Sequence, residues 1–289
     1  MLLPGQRAGE NRAVNQTARN FGYLWTSSGR REDPPGAYHY QRMEQALGLA
    51  PPRGVVLDAG CGEGIDLFNV GRATGARVIG IELSAGGVEA SRRRTRDLPN
   101  AHVVQADLTC LPFPDETFDF IYSYGVLHHL PEPERGMQEM VRLLKPSGRA
   151  AIYLYEDFSG RSFFWRGLLR AANGFRRVTL RLPPALLMFL CRAASPVIYL
   201  LFTVPSKFLR LLPGGKGLAE SFPFRHARGP FDLAGDLFDR FGAPVEWRYS
   251  RSGAEELLRG CGLEQISSAQ QRGWMVLGVK PGVLQAVAG

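Results

Sequence analysis

The stretch VVLDAGCGEGIDL, Val55–Leu67, sets an apolar run directly against three glycines at alternate positions, with carboxylates among them. Val55–Leu57 reads as a buried strand, the glycines as a turn that lets a ligand approach the backbone, and Ile65–Gly71 as the start of a helix. Such a strand–turn–helix offers backbone N–H groups at a helix start, a common nucleotide cradle. Two phosphate-binding versions do not fit. A dinucleotide loop runs G-x-G-x-x-G and a P-loop ends in G-K-[ST]; here Gly64 comes one residue early and neither Lys nor Ser follows. Asp58, Glu63 and Asp66 surround the turn. Carboxylates a few ångströms from a phosphate repel it by several kcal/mol at an effective dielectric of about 20, so a cationic ligand is preferred.

Working outward, short apolar runs alternate with helical stretches. Strands are predicted at Arg77–Ile81, Ala101–Gln105, Phe118–Ser123 and Arg149–Tyr155, with helices at Ser84–Arg96 and Pro133–Leu144. This repetition implies an α/β fold with a doubly wound, mostly parallel sheet. After an interruption, SGAEELLRGCG reads as a helix capped by Ser252 and Glu255, followed by a strand pair at Leu263–Ser267 and Trp274–Val279. The expected domains are an N-terminal arm and aromatic lid (1–50), a nucleotide-binding core (51–155), a basic apolar helical insertion (156–243) and a C-terminal part completing the core (244–289). Residues 1 to about 18 read as a loose arm, with no apolar run of signal-peptide length.

The second strand ends at Glu82, where a carboxylate accepts hydrogen bonds from both ribose hydroxyls of an adenosine. The third ends at Asp107, which can accept from an adenine amine while Leu108 packs beside the ring. Adenine, ribose and a cationic remainder without phosphate describe S-adenosylmethionine.

On these residues the chain resembles the class I S-adenosylmethionine-dependent methyltransferases, in particular their small-molecule branch. LDAGCGEG, GIELS, QADLTCLPF, FDFIYSYGVLHHL and LLKPSGRAAIYLY are similar to successive motifs of that family, over roughly residues 50–155 and more weakly 245–280. The resemblance implies a seven-stranded Rossmann-like methyltransferase sheet with a helical cap inserted before the last two strands. It implies that Asp58, Gly60, Gly62 and Gly64 hold the methionine portion, Glu82 the ribose, Asp107 and Leu108 the adenine, and Ser123 and Tyr124 the sulfur end. Cys61 and Leu83 complete the expected cofactor contacts, and S-adenosylhomocysteine is the product. The family often has Asp where this chain has Glu82, a longer arm with the same chemistry.

Methyl transfer from a sulfonium is an in-line displacement with a neutral leaving group, so alignment and exclusion of water are the main tasks. A base is needed only for a poor nucleophile. His128 and His129 in YGVLHHLPEP are the candidates, His128 favoured; their alternative role is to pack or cap the next helix. FGYLWT, with Tyr23 and Trp25, is a candidate lid on the substrate, and Tyr155 is the strand-five residue nearest the site.

The 289 residues, 45% hydrophobic, suffice for a real core. Four scattered cysteines without a Cys/His cluster argue against disulfides and against a metal site. The net charge of +8 is concentrated: residues 156–230 carry 12 Lys+Arg against 3 Asp+Glu, and the rest of the chain 23 against 24. Arg166, Arg170, Arg177 and Arg181 are predicted to line one side of a helix interrupted at Asn173-Gly174, with Phe164, Trp165, Leu168, Leu169 and Phe175 crowded elsewhere. Ala185–Val204 is apolar for about a membrane's thickness, but a central Arg192 costs roughly 2.5–3.5 kcal/mol on insertion, which favours an interfacial helix over a spanning one. The expected enzyme is therefore a cytoplasmic methyltransferase acting on an O, C or N atom of a hydrophobic quinone-, lipid- or natural-product-like acceptor. It is expected to be peripheral to the anionic inner face of the membrane. The rival readings are an RNA or other nucleic-acid methyltransferase using the basic insertion, or an inactive cofactor-binding partner subunit. Aliphatic runs between the arginines argue against nucleic acid.

Overall fold

The computed structural model describes residues 4–27, 39–225 and 227–282. In chain order the elements are α1 (Pro4–Ser27), α2 (His39–Leu47), β1 (Val55–Ala59), α3 (Ile65–Ala73), β2 (Arg77–Glu82), α4 (Ala85–Thr95), β3 (Ala101–Gln105), β4 (Phe118–Tyr124), α5 (Pro133–Leu143) and β5 (Leu144–Tyr155). There follow α6 (Phe163–Thr179), α7 (Pro184–Ile198), a π-helical turn (Tyr199–Thr203), α8 (Val204–Leu209), α9 (Lys216–Ser221) and α10 (Ala234–Gly242). Last come α11 (Arg251–Gly260), β6 (Glu264–Gln270) and β7 (Gly273–Val279). Two compact units result: Met1–Arg166 with Pro244–Gly289, and Gly167–Ala243.

The first unit holds the sheet, in the order β3-β2-β1-β4-β5-β7-β6. Its first five strands are parallel, while β7 runs antiparallel to both β5 and β6. Period-two alternation explains why the central strands are apolar throughout. Leu57, Ile121 and Ile152 enter one core cluster, and their neighbours Val56, Phe120 and Ala151 enter the other. The strand order reverses between β1 and β4, and a doubly wound sheet opens its ligand crevice there, at the carboxyl ends.

Several boundaries differ from the sequence expectation. The expected loose arm is α1, a helix that buries Asn20 and Leu24, one turn apart, and packs against α4. Its polar composition hides the helix, which is selected by docking: a Cβ on Gly86 would lie 2.7 Å from the Gly22 carbonyl oxygen. The cap of α11 is Ser250, not Ser252: Ser250 Oγ accepts from the Gly253 N–H at 3.1 Å, while Glu255 accepts from Arg251 and Ser268. Helix α6 runs unbroken through Asn173-Gly174, since one glycine costs a helix only about 1 kcal/mol.

In the helical unit, Leu187, Met188 and Cys191 of α7 are buried, as are Leu237 and Phe238 of α10, and the two helices pack together. Leu168 and Phe175 of α6, expected in a crowded apolar cluster, are 46% and 59% exposed. The helical unit begins later than the expected insertion, because 156–166 remain with the sheet.

Candidate functional site

The loop after β1 departs from the expectation that its backbone N–H groups face a ligand. Gly60 N and Cys61 N both donate to the Ile81 carbonyl, at 3.1 and 2.8 Å. Gly64 N donates to Cys61 O at 2.8 Å, and Gly62 N to Glu82 Oε2 at 3.2 Å. The loop therefore supplies shape rather than anion-binding donors, which agrees with its poor match to a phosphate cradle. Gly60, Gly62 and Gly64 have φ of +96°, +53° and +78°. A Cβ on Gly60 would run into Val126, and one on Gly62 would lie 3.0 Å from the Trp25 ring.

The three carboxylates around the loop separate by partner. Glu63 pairs with Arg94 at 2.8 Å. Asp66 accepts from the Tyr40 N–H at 2.8 Å and lies 3.1 Å from His39 Nδ1. Asp58, 3% exposed at the end of β1, keeps an Oδ2 with no hydrogen-bond partner. Burial, then the neighbouring Asp66 charge, push its pKa well above the ordinary carboxylate value. A buried carboxylate in this condition is matched by a cationic group. Beside it Cys61 is buried, and burial first, then Asp58, push its thiol up, so it is no nucleophile.

At the next strand ends, Glu82 Oε1 accepts from Ser84 N at 2.9 Å and Ser84 Oγ at 2.6 Å, tying β2 to the start of α4. Burial raises its pKa. Asp107 accepts from Thr109 N and Oγ1 through Oδ1, at 2.8 and 2.7 Å, which leaves Oδ2 for a ligand; Leu108 is buried beside it. Leu83 is half-buried and its carbonyl accepts from Gln105. The Ser123 hydroxyl donates to Ala59 O at 2.8 Å and so ties β4 to β1, while Tyr124 stacks between His39 and Tyr153 with ring centroids 4.3 and 4.2 Å apart.

His128 and His129 lie in a 3₁₀ turn after β4. His128 is 0% exposed, neither ring nitrogen has a hydrogen-bond partner, and its ring centroid is 3.9 Å from that of Tyr155. Burial first, then His129, push its pKa well below the ordinary imidazole value, so it is neutral. His129 Nδ1 donates to the Val245 carbonyl at 2.8 Å, which leaves Nε2 as its basic nitrogen. The aromatic stretch of α1 meets both ends of the site: Trp25 lies on Gly62, and Phe21 is 5.5 Å from the His129 ring; Tyr23 is half-buried.

Three features escaped the sequence reading. His39 joins Asp66 to Tyr124, and the VEWRYS segment runs along the end of β5, with Tyr249 N donating to Tyr155 O at 2.9 Å. There Arg248 lies 5.2 Å from the Tyr155 ring centroid, held by Glu246 at 2.7 Å and by the Glu156 carbonyl at 2.7 Å. No local motif marks these residues; only tertiary pairing brings them to the site. A separate cleft of about 670 Å³ beside Glu156, Arg161, Ser250 and Arg251 holds two internal ion pairs, Arg161 with Glu156 and Arg251 with Glu255.

A family profile described as "Methyltransferase domain" matches residues 57–152, the segment from β1 to β5 that carries these strand ends. The chain carries a class I S-adenosylmethionine-dependent methyltransferase domain. Among similar curated proteins, a demethylmenaquinone methyltransferase of Clavibacter sepedonicus is 37% identical over 38% of this chain and 45% of its own. Methyltransferase GfsG of Streptomyces halstedii is 36% identical over 39% and 40%, and a 27-O-demethylrifamycin SV methyltransferase of Amycolatopsis mediterranei 32% over 38% and 42%. The match thus spans less than half the length of these relatives. A solved methyltransferase from Methanosarcina mazei covers 84% of this chain, and 99% of its own, at 17% identity with a TM-score of 0.48; the fold assignment stands on the strand order itself. The methyltransferase domain's cofactor is S-adenosylmethionine, and the residues present fit it: the buried Asp58 carboxylate has an oxygen left over for a cation, and Asp107 keeps Oδ2 for a further hydrogen bond.

Proposed function

We propose that the protein transfers a methyl group from S-adenosylmethionine to an O, C or N atom of a hydrophobic small molecule. The carrying observation is the buried Asp58, whose raised pKa and lack of a described cationic partner call for a cationic ligand at the end of β1, in line with Glu82 and Asp107 at the ends of β2 and β3. The cofactor supplies the electrophilic methyl group. Asp58 neutralises the cationic methionine portion, with Gly60, Cys61, Gly62 and Gly64 shaping its bed; Glu82 orients the ribose, and Asp107 with Leu108 and Leu83 holds the adenine. Ser123 and Tyr124 flank the sulfur end.

Tyr124, Tyr153, Tyr155, His128 and His129 form the aromatic wall on which an acceptor ring can lie. His128, neutral and packed near Tyr155, is our candidate to accept a proton when the acceptor must lose one. Helix α1, with Tyr23 and Trp25, acts as a lid that excludes water. Relatives named for demethylmenaquinone and demethylrifamycin support an apolar acceptor, as does the apolar helical unit. We read that unit as bringing a cytoplasmic enzyme to acceptors at the inner face of the membrane. The test is incubation of cell extracts with the protein and methyl-labelled S-adenosylmethionine, followed by mass spectrometry. Label in an apolar metabolite is expected; label in RNA would replace the acceptor class. Thermal stabilisation by NAD but not by S-adenosylhomocysteine would sink the reading.

A further inference from the structure

The long apolar helix of the second unit is built the wrong way round for water. Along α7, the π-helical turn and α8, Ser195, Thr203 and Ser206 are 0% exposed and face inward. Their hydroxyls donate to the backbone carbonyls of Pro230, Phe224 and Ala219 at 2.7, 2.7 and 2.9 Å. Beyond the buried Leu187, Met188 and Cys191, a run of large side chains faces outward: Phe189, Val197, Leu200, Leu201, Val204 and Phe208 are between 41% and 66% exposed. From Val197 onward they recur in the three- and four-residue steps of a single helix face. Within Pro184–Leu209 an 18-residue window has a mean hydropathy of 1.9, yet only 22% of that window is buried. A water-facing helix reverses both assignments, with hydroxyls outside and leucines within.

The surroundings select what covers this face. The unit's residues 167–243 carry 11 Lys+Arg against 4 Asp+Glu, and Arg192, Lys207 and Arg210 on this helix are exposed. That charge repels a second copy of the chain and attracts an anionic surface. We propose that the outward stripe of α7 and α8 seats in the boundary between headgroups and acyl chains of an anionic lipid leaflet, with the helix parallel to the membrane plane. The inward face excludes a spanning arrangement. The backbone carbonyls of Ala219, Phe224 and Pro230 are bound to it, and a spanning helix would carry that irregular chain, along with Arg192, into hydrocarbon. Its purpose, delivering the enzyme to an apolar acceptor, rests on the function proposed above; the surface itself does not.

Flotation of the full chain with vesicles tests this. Mixed phosphatidylcholine–phosphatidylglycerol vesicles are expected to carry roughly ten times more protein than pure phosphatidylcholine. The exposed double substitution Leu200→Glu with Leu201→Glu is expected to lower binding to mixed vesicles roughly tenfold. A Leu201→Trp variant is expected to lose fluorescence to lipids brominated in their acyl chains. Equal flotation with both vesicle types, unchanged binding of the double variant, or undiminished fluorescence from the Leu201→Trp variant would each overturn the proposal. So would conversion of a dimer to a monomer by the double substitution, which would assign the stripe to a second copy. S-adenosylhomocysteine binding by the same preparations separates the two ideas. Retained cofactor binding without flotation removes only the membrane seat; flotation without cofactor binding removes only the methyltransferase reading.

Discussion

Replacing Glu82 with alanine tests the join between the cofactor loop and the sheet. The carboxylate accepts from Ser84 N, Ser84 Oγ and Gly62 N, at 2.9, 2.6 and 3.2 Å, in a position where Glu82 is only 7% exposed. Truncation leaves two backbone N–H groups without an acceptor, each costing about 1–3 kcal/mol. Removing a carboxylate whose pKa burial has raised offsets part of this. The net expected loss is about 2–4 kcal/mol, or a fall in Tm of about 5–15 °C for a unit of this size. The same side chain is the proposed ribose ligand, and hydrogen bonds to a charged group contribute about 1.5–3 kcal/mol. S-adenosylhomocysteine should therefore bind about 10–150-fold more weakly. Calorimetric titration at a temperature where the variant is folded, beside thermal unfolding followed by circular dichroism, reads the two effects separately. A lowered Tm with unchanged affinity would refute the ribose role. An unchanged Tm would refute the tie between loop and helix.

Asp58→Asn is expected to make the cofactor-free protein more stable at pH 8 while weakening S-adenosylhomocysteine binding at least about tenfold. The raised pKa of Asp58 means that the folded state holds a proton longer than the unfolded chain, so this group destabilises increasingly as pH rises above the usual carboxylate range. Thermal scans should therefore show the gap between variant and wild type closing toward pH 4, and parallel profiles would count against the unpaired carboxylate. His128 has the opposite sign. Its lowered pKa makes stability fall as pH drops below about 6.5, by about 1 kcal/mol down to pH 5.5, and His128→Leu should lose that dependence in urea titrations. At the cap of α11, Ser250→Ala should cost about 1 kcal/mol and Ser252→Ala less than about 0.5, and the reverse order would restore the cap to Ser252.

The core of the domain was legible because its signals are local. Val55, Arg77, Ala101 and Phe118 each begin a strand in the sequence reading and in the structure, since period-two burial and glycine punctuation act over a few residues. Helix α1 was missed for the opposite reason: its polar residues give little periodicity, and Asn20 and Leu24 become a buried face only through docking on α4. At the α11 cap the sequence offers two serines two residues apart, Ser250 and Ser252, and only backbone geometry chooses Ser250. His39 and Arg248 carry no motif at all.

By itself the sequence determined the succession of strands and helices and the placing of the glycines and carboxylates in Asp58–Gly64, because spacing and side-chain type along short segments settle these. Only the tertiary structure decided which of three neighbouring carboxylates is left without a cationic partner among the described residues. Arg94 and His39, the partners of Glu63 and Asp66, come from helices 31 and 27 residues away in the chain. Only folding, likewise, turned the hydroxyls of Ser195, Thr203 and Ser206 inward and Leu200 and Leu201 of the same helix outward. A helix's composition is fixed by its residues, but the face it buries depends on which carbonyls and side chains arrive from elsewhere to meet it.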